Sequence, residues 1–217
     1  MVAGKYWSMN LPAIITCPIV VLSYGRCGSM LLAHNIGQLY NANPVTIQVE
    51  TLDQMLSILP NKTPIHTHLQ VSKSVFKNYT QIYNLRYDPV ETVLSAMLAH
   101  TFDHYHQFVD HAMINHSSFE FVKWDWLSNA CRGFIKWHNH YGAQLSSDDY
   151  VVVYEKYVDV TCNRPSVYQK VYPNKEHLLS NYAQVREFIV DRYFDSMSTS
   201  IQPFLQHQNP TDIYQAF

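Results

Sequence analysis

The segment Pro18-Ile-Val-Val-Leu-Ser-Tyr-Gly-Arg-Cys-Gly-Ser-Met-Leu-Leu32 constrains this chain more than any other. An apolar, β-branched run ends in a short turn of Gly25, Arg26, Cys27, Gly28 and Ser29. An amphipathic helix pattern follows, with Met30, Leu31, Leu32, Ile36 and Leu39 as its apolar residues. A strand that turns through small residues into a helix gathers backbone N–H groups and a helix N-terminus at one point, which favours an anion there. Arg26 adds a permanent charge with planar, forked donors. The turn reads as a cradle for a phosphate or sulfate group. The plainer alternative is a tight turn with Arg26 as a solvated surface charge. The usual phosphate loop of nucleotide triphosphatases needs Lys after its second Gly, and here Gly28 is followed by Ser29, which disfavours ordinary ATP or GTP hydrolysis. The dinucleotide pattern Gly-x-Gly-x-x-Gly is absent as well.

A chain of 217 residues, 47% of them hydrophobic, is long enough for one sizeable core with a helical appendage. We expect a single domain over 1–217, with its core at about 18–160 and a helical C-terminal region at about 165–217. A net charge of −2 provides no global field for nucleic acid or acidic membranes, so neither is expected as a partner. Cys17, Cys27, Cys131 and Cys162 lack metal-ligand spacing and read as free thiols in a reducing compartment. Cys27 is either a reactive thiolate or a small residue that fits the turn. No signal-peptide layout and no membrane-length apolar stretch is present, so a soluble, cytoplasmic chain is expected.

The hydrophobic pattern predicts strands at Ile19–Ser23, Val45–Val49, Ile65–Leu69, Gln81–Arg86 and Tyr150–Tyr154, the last as a buried central strand. Helices are expected at Ser29–Leu39, Leu52–Leu59 (capped by Thr51), Ser72–Asn78, from Pro89 with Asp88 as N-cap, over 118–141, and over most of Lys175–Leu205. Strands alternating with helices imply an α/β fold of three layers, a mainly parallel sheet flanked by helices. Ligands in such folds bind outside the carboxyl ends of the strands, where Arg26, His68 and Arg86 fall.

Four ordered motifs are similar to those of sulfotransferases that use 3′-phosphoadenosine-5′-phosphosulfate (PAPS). Tyr24-Gly-Arg-Cys-Gly-Ser-Met-Leu31 resembles the family's first signature, which holds the 5′-phosphosulfate. His66-Thr-His-Leu69 resembles its Lys-Thr-His-Leu, whose His is the general base. Tyr83 to Ser95 resembles its second signature, a strand ending in Arg and a helix bearing Ser that together bind the 3′-phosphate. Tyr150-Val-Val-Val-Tyr-Glu-Lys156 is similar to its strand ending in Tyr-Glu-Asp/Lys. The resemblance implies a P-loop-like sulfotransferase fold over roughly 18–160. It implies Arg26 and His68 as catalytic residues, and Arg26, Cys27, Gly28, Ser29, Met30, Arg86 and Ser95 as donor-binding residues. PAPS would be the cofactor, 3′-phosphoadenosine-5′-phosphate (PAP) its product, no metal would be required, and the acceptor would be a small molecule or carbohydrate.

Met30 stands where the family has a second hydroxyl residue. The gap from Arg86 to Ser95 is one residue longer than usual, so either the strand end is bulged or Tyr87 takes the Arg position. The family's late basic loop is not visible, and Lys170 and Lys175 are its candidate substitutes. His66 is expected on the opposite face of the strand from His68. Histidine's ordinary pKa of about 6.5 suits a base near neutral pH. Trp124, Trp126, Phe134, Trp137 and Tyr141 read mostly as core, some as an acceptor wall. His100, His104 and His106 read as surface residues rather than metal ligands. Two other readings compete: a small-molecule kinase with an atypical loop, and a catalytically degenerate nucleotide-binding or interaction protein of the same fold.

Overall fold

A computed structural model describes residues 18–29, 32–33, 47–49, 51–58, 65–103, 116–155 and 174–207. Five strands form one sheet: β1 (Ile19–Ser23), β2 (Ile47–Val49), β3 (Ile65–Thr67), β4 (Thr80–Leu85) and β5 (Tyr150–Val153). Their order is β2-β3-β1-β4-β5, and every pairing is parallel. The helices are α1 (Leu52–Ile58), α2 (Pro89–Phe102), α3 (Trp124–Gly142), α4 (Lys175–Leu178) and α5 (Tyr182–Leu205), with a 3-10 turn at Lys73–Phe76. Ser29, Leu32 and Ala33 are helical too, and Leu32 N–H donates to the Gly28 carbonyl at 3.0 Å. Met30, Lys170, His104 and His106 lie outside the described residues, as do Cys17 and Cys162.

All five residues of β1 are buried, so both faces of the sheet centre are covered. Side chains alternate across the sheet. Val20, Leu22, Ile65, Tyr83, Leu85 and Val151 face one way, into a core closed by Trp137 and Tyr141 of α3 and Phe204 of α5. Tyr83 packs its ring against those of Tyr141 and Phe204, each at 5.6 Å. A second core lies mainly between helices, where α2, α3 and α5 bury Val93, Leu94, Leu98, Phe134, Ile189 and Ile201 beside Phe121 and Leu179. The expected α/β class with a parallel sheet holds.

Local chemistry fixes the starts of these elements. Thr51 and Gln54 form a reciprocal capping box at α1, each side chain accepting from the other's N–H at 3.2 Å. Asp88 caps α2 by accepting from Glu91 N–H at 3.0 Å, and Pro89 stands in the first turn where its missing N–H costs nothing.

Three expectations need correction. β5 is not central: it ends the strand order of the described sheet. Its apolar run reflects cover on both faces, a property that an end strand under helices shares with a middle one. The third helix begins at Trp124 rather than 118, because the preceding residues bond to the C-terminal segment instead. Phe119 N–H donates to the Leu178 carbonyl at 3.0 Å, and Asn181 bonds both the N–H and carbonyl of Phe121. β3 ends at Thr67, so His68 and Leu69 lie beyond it.

His138, near the end of α3, is fully enclosed between Phe134, Trp137 and Phe204. Its Nδ1–H donates to the Phe134 carbonyl at 2.8 Å, and burial pushes its pKa down to about 3. The folded chain therefore keeps this ring neutral, while the unfolded chain protonates it below a pH of about 6.5. The stability associated with this ring is intact above that pH and is lost as pH falls toward 3. Denaturant unfolding at pH 6.5, 5.5 and 4.5 should show the native chain losing about 1 kcal/mol more per pH unit than His138→Gln. Equal slopes for the two proteins would contradict this.

Candidate functional site

In this strand order the chain leaves β1 toward β3 and leaves β4 toward β5. In open α/β sheets ligands bind where the connections diverge in this way, here at the carboxyl ends of β1 and β4. The loop after β1 lies at that point. Arg26 and Gly28 have φ of 70° and 75°, whereas Gly25, Cys27 and Ser29 do not share the positive sign. Alternating signs of φ in successive residues are the backbone pattern of anion-binding main-chain nests. For Arg26, which carries a Cβ, this conformation costs roughly 1–2 kcal/mol, so the surroundings must enforce it.

They do so at several points. Tyr24 sends its hydroxyl to the Ala130 carbonyl of α3 at 3.0 Å and packs on Phe134. Asn84, buried on β4, donates from Nδ2 to the Cys27 carbonyl at 2.7 Å. Ser29 starts the helical turn and is buried. A Cβ on Gly25 would meet nothing within 4 Å, so Gly28, with its positive φ, is where the loop requires glycine.

His68 is tied to the same strand end. Its Nδ1 lies 2.8 Å from the Ser23 carbonyl and 3.2 Å from Ser23 Oγ. A carbonyl oxygen can only accept, so in the neutral ring Nδ1 carries the proton and Nε2 keeps its lone pair. The flanking residues fix this pose. Thr67 Oγ1 donates to the Val49 carbonyl at 2.9 Å and accepts from Leu69 N–H at 3.1 Å. Tyr141 Oη then donates to the Leu69 carbonyl at 2.6 Å. His66 is not on the opposite side from His68: their rings meet edge to face at 5.8 Å. Residues two apart in extended chain share a face, and both rings follow the side of Ser23 and Asn84.

Arg86 is the first residue past β4, and the register of β4 with β1 and β5 advances one residue at a time through Leu85. The extra residue before Ser95 is therefore no bulge inside the strand. Arg86 Nε donates to Glu155 Oε1 at 3.2 Å, Tyr87 N–H donates to Glu155 Oε2 at 3.0 Å, and the guanidinium lies 5.2 Å from the Tyr154 ring centre. Tyr87 itself is exposed, and Ser95 lies on the buried side of α2. Lys175 is buried and ion-paired to Glu91 in the first turn of α2 at 2.5 Å. Cys27 links the two strand ends: its thiol feels Arg86, Glu155, Thr92 and Arg26.

The structure thus gathers Arg26, Cys27, Gly28, Ser29 and His68 around the end of β1. Arg86 stands beside them in an ion pair of its own. The sequence assigns no site role to Ser23, Asn84 or Glu155, although Glu155 lies within the fourth motif. Asn84 left a trace of its own, an amide in a strand where such residues are uncommon. Of the aromatic set, Phe134, Trp137 and Tyr141 are core, and Trp126 stacks on exposed His100 at 4.9 Å. Among the described residues no group of three His, Cys, Asp or Glu is placed to hold a metal, and no helix is long and apolar enough to cross a membrane. No protein-family model matches the sequence, and no curated protein matches it.

Burial pushes the Cys27 thiol up to about 12 against the opposing pull of Arg86. Full burial and a disfavoured thiolate fit a packing role for Cys27. Cys131 is raised to about 12 as well. Peptide mapping after iodoacetamide treatment at pH 8 should find both unmodified in the native chain and both alkylated in denaturant. Fast native labelling of Cys27 would contradict this picture.

Proposed function

We propose that this chain is a sulfotransferase that moves a sulfonate from a nucleotide 5′-phosphosulfate to a hydroxyl or amine of a small-molecule or carbohydrate acceptor. PAPS is the donor that the motif resemblance implies. The observation that carries the reading is the pairing of an alternating-hand loop bearing Arg26 with an imidazole bonded to the same strand end through Ser23.

When bound, the donor supplies a sulfonate activated by a phosphate leaving group. Arg26, the N–H groups of Cys27, Gly28 and Ser29 and the Ser29 hydroxyl hold its oxyanions. They offset the negative charge that grows on the bridging oxygen as its bond to sulfur breaks. His68 takes the acceptor proton on Nε2 as the new bond from acceptor to sulfur forms. The imidazolium keeps its Nδ1–H on the Ser23 carbonyl, so the ring need not turn between states. As in phosphoryl transfer, most of the work is positioning and electrostatics.

The test is release of PAP from PAPS in the presence of EDTA, with a panel of phenols, alcohols and sugars as acceptors. Arg26→Ala should lower kcat/KM by ~100-fold or more, the scale of a lost oxyanion donor. His68→Asn should lower kcat by ~100-fold or more while donor binding persists. Full turnover by Arg26→Ala, or magnesium-dependent consumption of ATP in place of PAPS, would refute the assignment.

A further inference from the structure

We infer that the place a donor's 3′-phosphate would take beside Arg86 is already filled by the Glu155 carboxylate. The chain therefore grips its donor by the 5′ end and does not select for a 3′-phosphate. This inference rests on the sulfotransferase reading and narrows it to donors recognised through their 5′-phosphosulfate.

Glu155 makes the two contacts that an incoming oxyanion would need here. One oxygen accepts from Arg86 Nε at 3.2 Å, the other from the Tyr87 N–H at 3.0 Å. The guanidinium is mostly enclosed, at 13% side-chain exposure, and Tyr154 covers it. Three further donors at the head of α2 are committed within the chain. Glu91 N–H goes to Asp88 Oδ1, Thr92 N–H to the Asp88 carbonyl, and Thr92 Oγ1 to that same carbonyl. The second cation of the region, Lys175, is held by Glu91. Asp88, Glu91 and Glu155 thus set three carboxylates around Arg86 and Lys175, and a phosphate dianion arriving there must compete with them. Binding it requires Glu155 to leave both of its bonds. Its side chain is 34% exposed, so departure is open to it, but the exchange trades one charge-assisted pair for another and yields little affinity. The unbulged register of β4 adds to this, since it keeps Arg86 within reach of the segment that follows β5.

Calorimetric titration of the full chain with adenosine 5′-phosphate and with PAP tests the inference. The two nucleotides should bind within about threefold of each other. Glu155→Gln and Glu155→Ala should each tighten PAP by about tenfold or more and leave adenosine 5′-phosphate unchanged. A wild-type preference for PAP of about tenfold or more would overturn the inference while leaving the sulfotransferase reading intact. So would variants that keep the wild-type ratio. Absence of heat with both nucleotides would remove the sulfotransferase reading and the inference together.

Discussion

Within five residues of leaving β1 the backbone twice adopts the left-handed conformation, at Arg26 and again at Gly28. The rest of the site depends on that double reversal. It costs free energy at Arg26, and the fold offsets the cost with bonds from three directions: Tyr24 to α3, Asn84 of β4 to the Cys27 carbonyl, and the helical bond from Leu32 back to Gly28. Each anchor comes from an element whose main task is elsewhere. Asn84 gives a buried strand position to a polar side chain, and Tyr24 spans from the loop after β1 to the core of helices. The same strand end supplies the carbonyl that orients His68. Loop and imidazole are therefore referenced to one short piece of chain, so their relation does not depend on long, flexible connections.

The two strand ends, of β1 and β4, differ in electrostatic character. At β1 the donors are main-chain groups and a guanidinium raised on a strained turn. At β4 the guanidinium and the first N–H groups of α2 are answered by carboxylates of the chain itself. An internal carboxylate neutralises a partly buried cation at small cost and fixes its direction. It also removes the electrostatic advantage that a second anion would find.

Much of the scaffold was legible from periodicity. β1 was bounded correctly, and Asp88, Pro89 and Thr51 announced their helices because caps are local chemistry. Strand order was not legible, and Tyr150–Val153 shows why: burial on both faces reads the same at the end of a covered sheet as in its middle. The pattern around Phe119 does not reveal its non-helical course, because its partners are Leu178, Ser180 and Asn181, about sixty residues away in sequence. In the site, Gly28 and His68 stand out in the sequence through the motifs that hold them, and Glu155 lies inside another. The bonds of Ser23, Asn84 and Glu155 are not legible there, since each joins segments that only the fold brings near. Strand periodicity puts His66 and His68, two residues apart, on one side, as their ring contact shows.

The central claim is that the loop after β1 binds an oxyanion on its main-chain donors. It is tested most directly by titrating the isotopically labelled chain with inorganic pyrophosphate and following its amide resonances. The account predicts saturable shifts that are largest at the N–H groups of Cys27, Gly28 and Ser29, with the first turn of α2 at Val90 and Glu91 little changed. Shifts centred on Arg86 to Glu91, or spread over the surface without saturation, would contradict it.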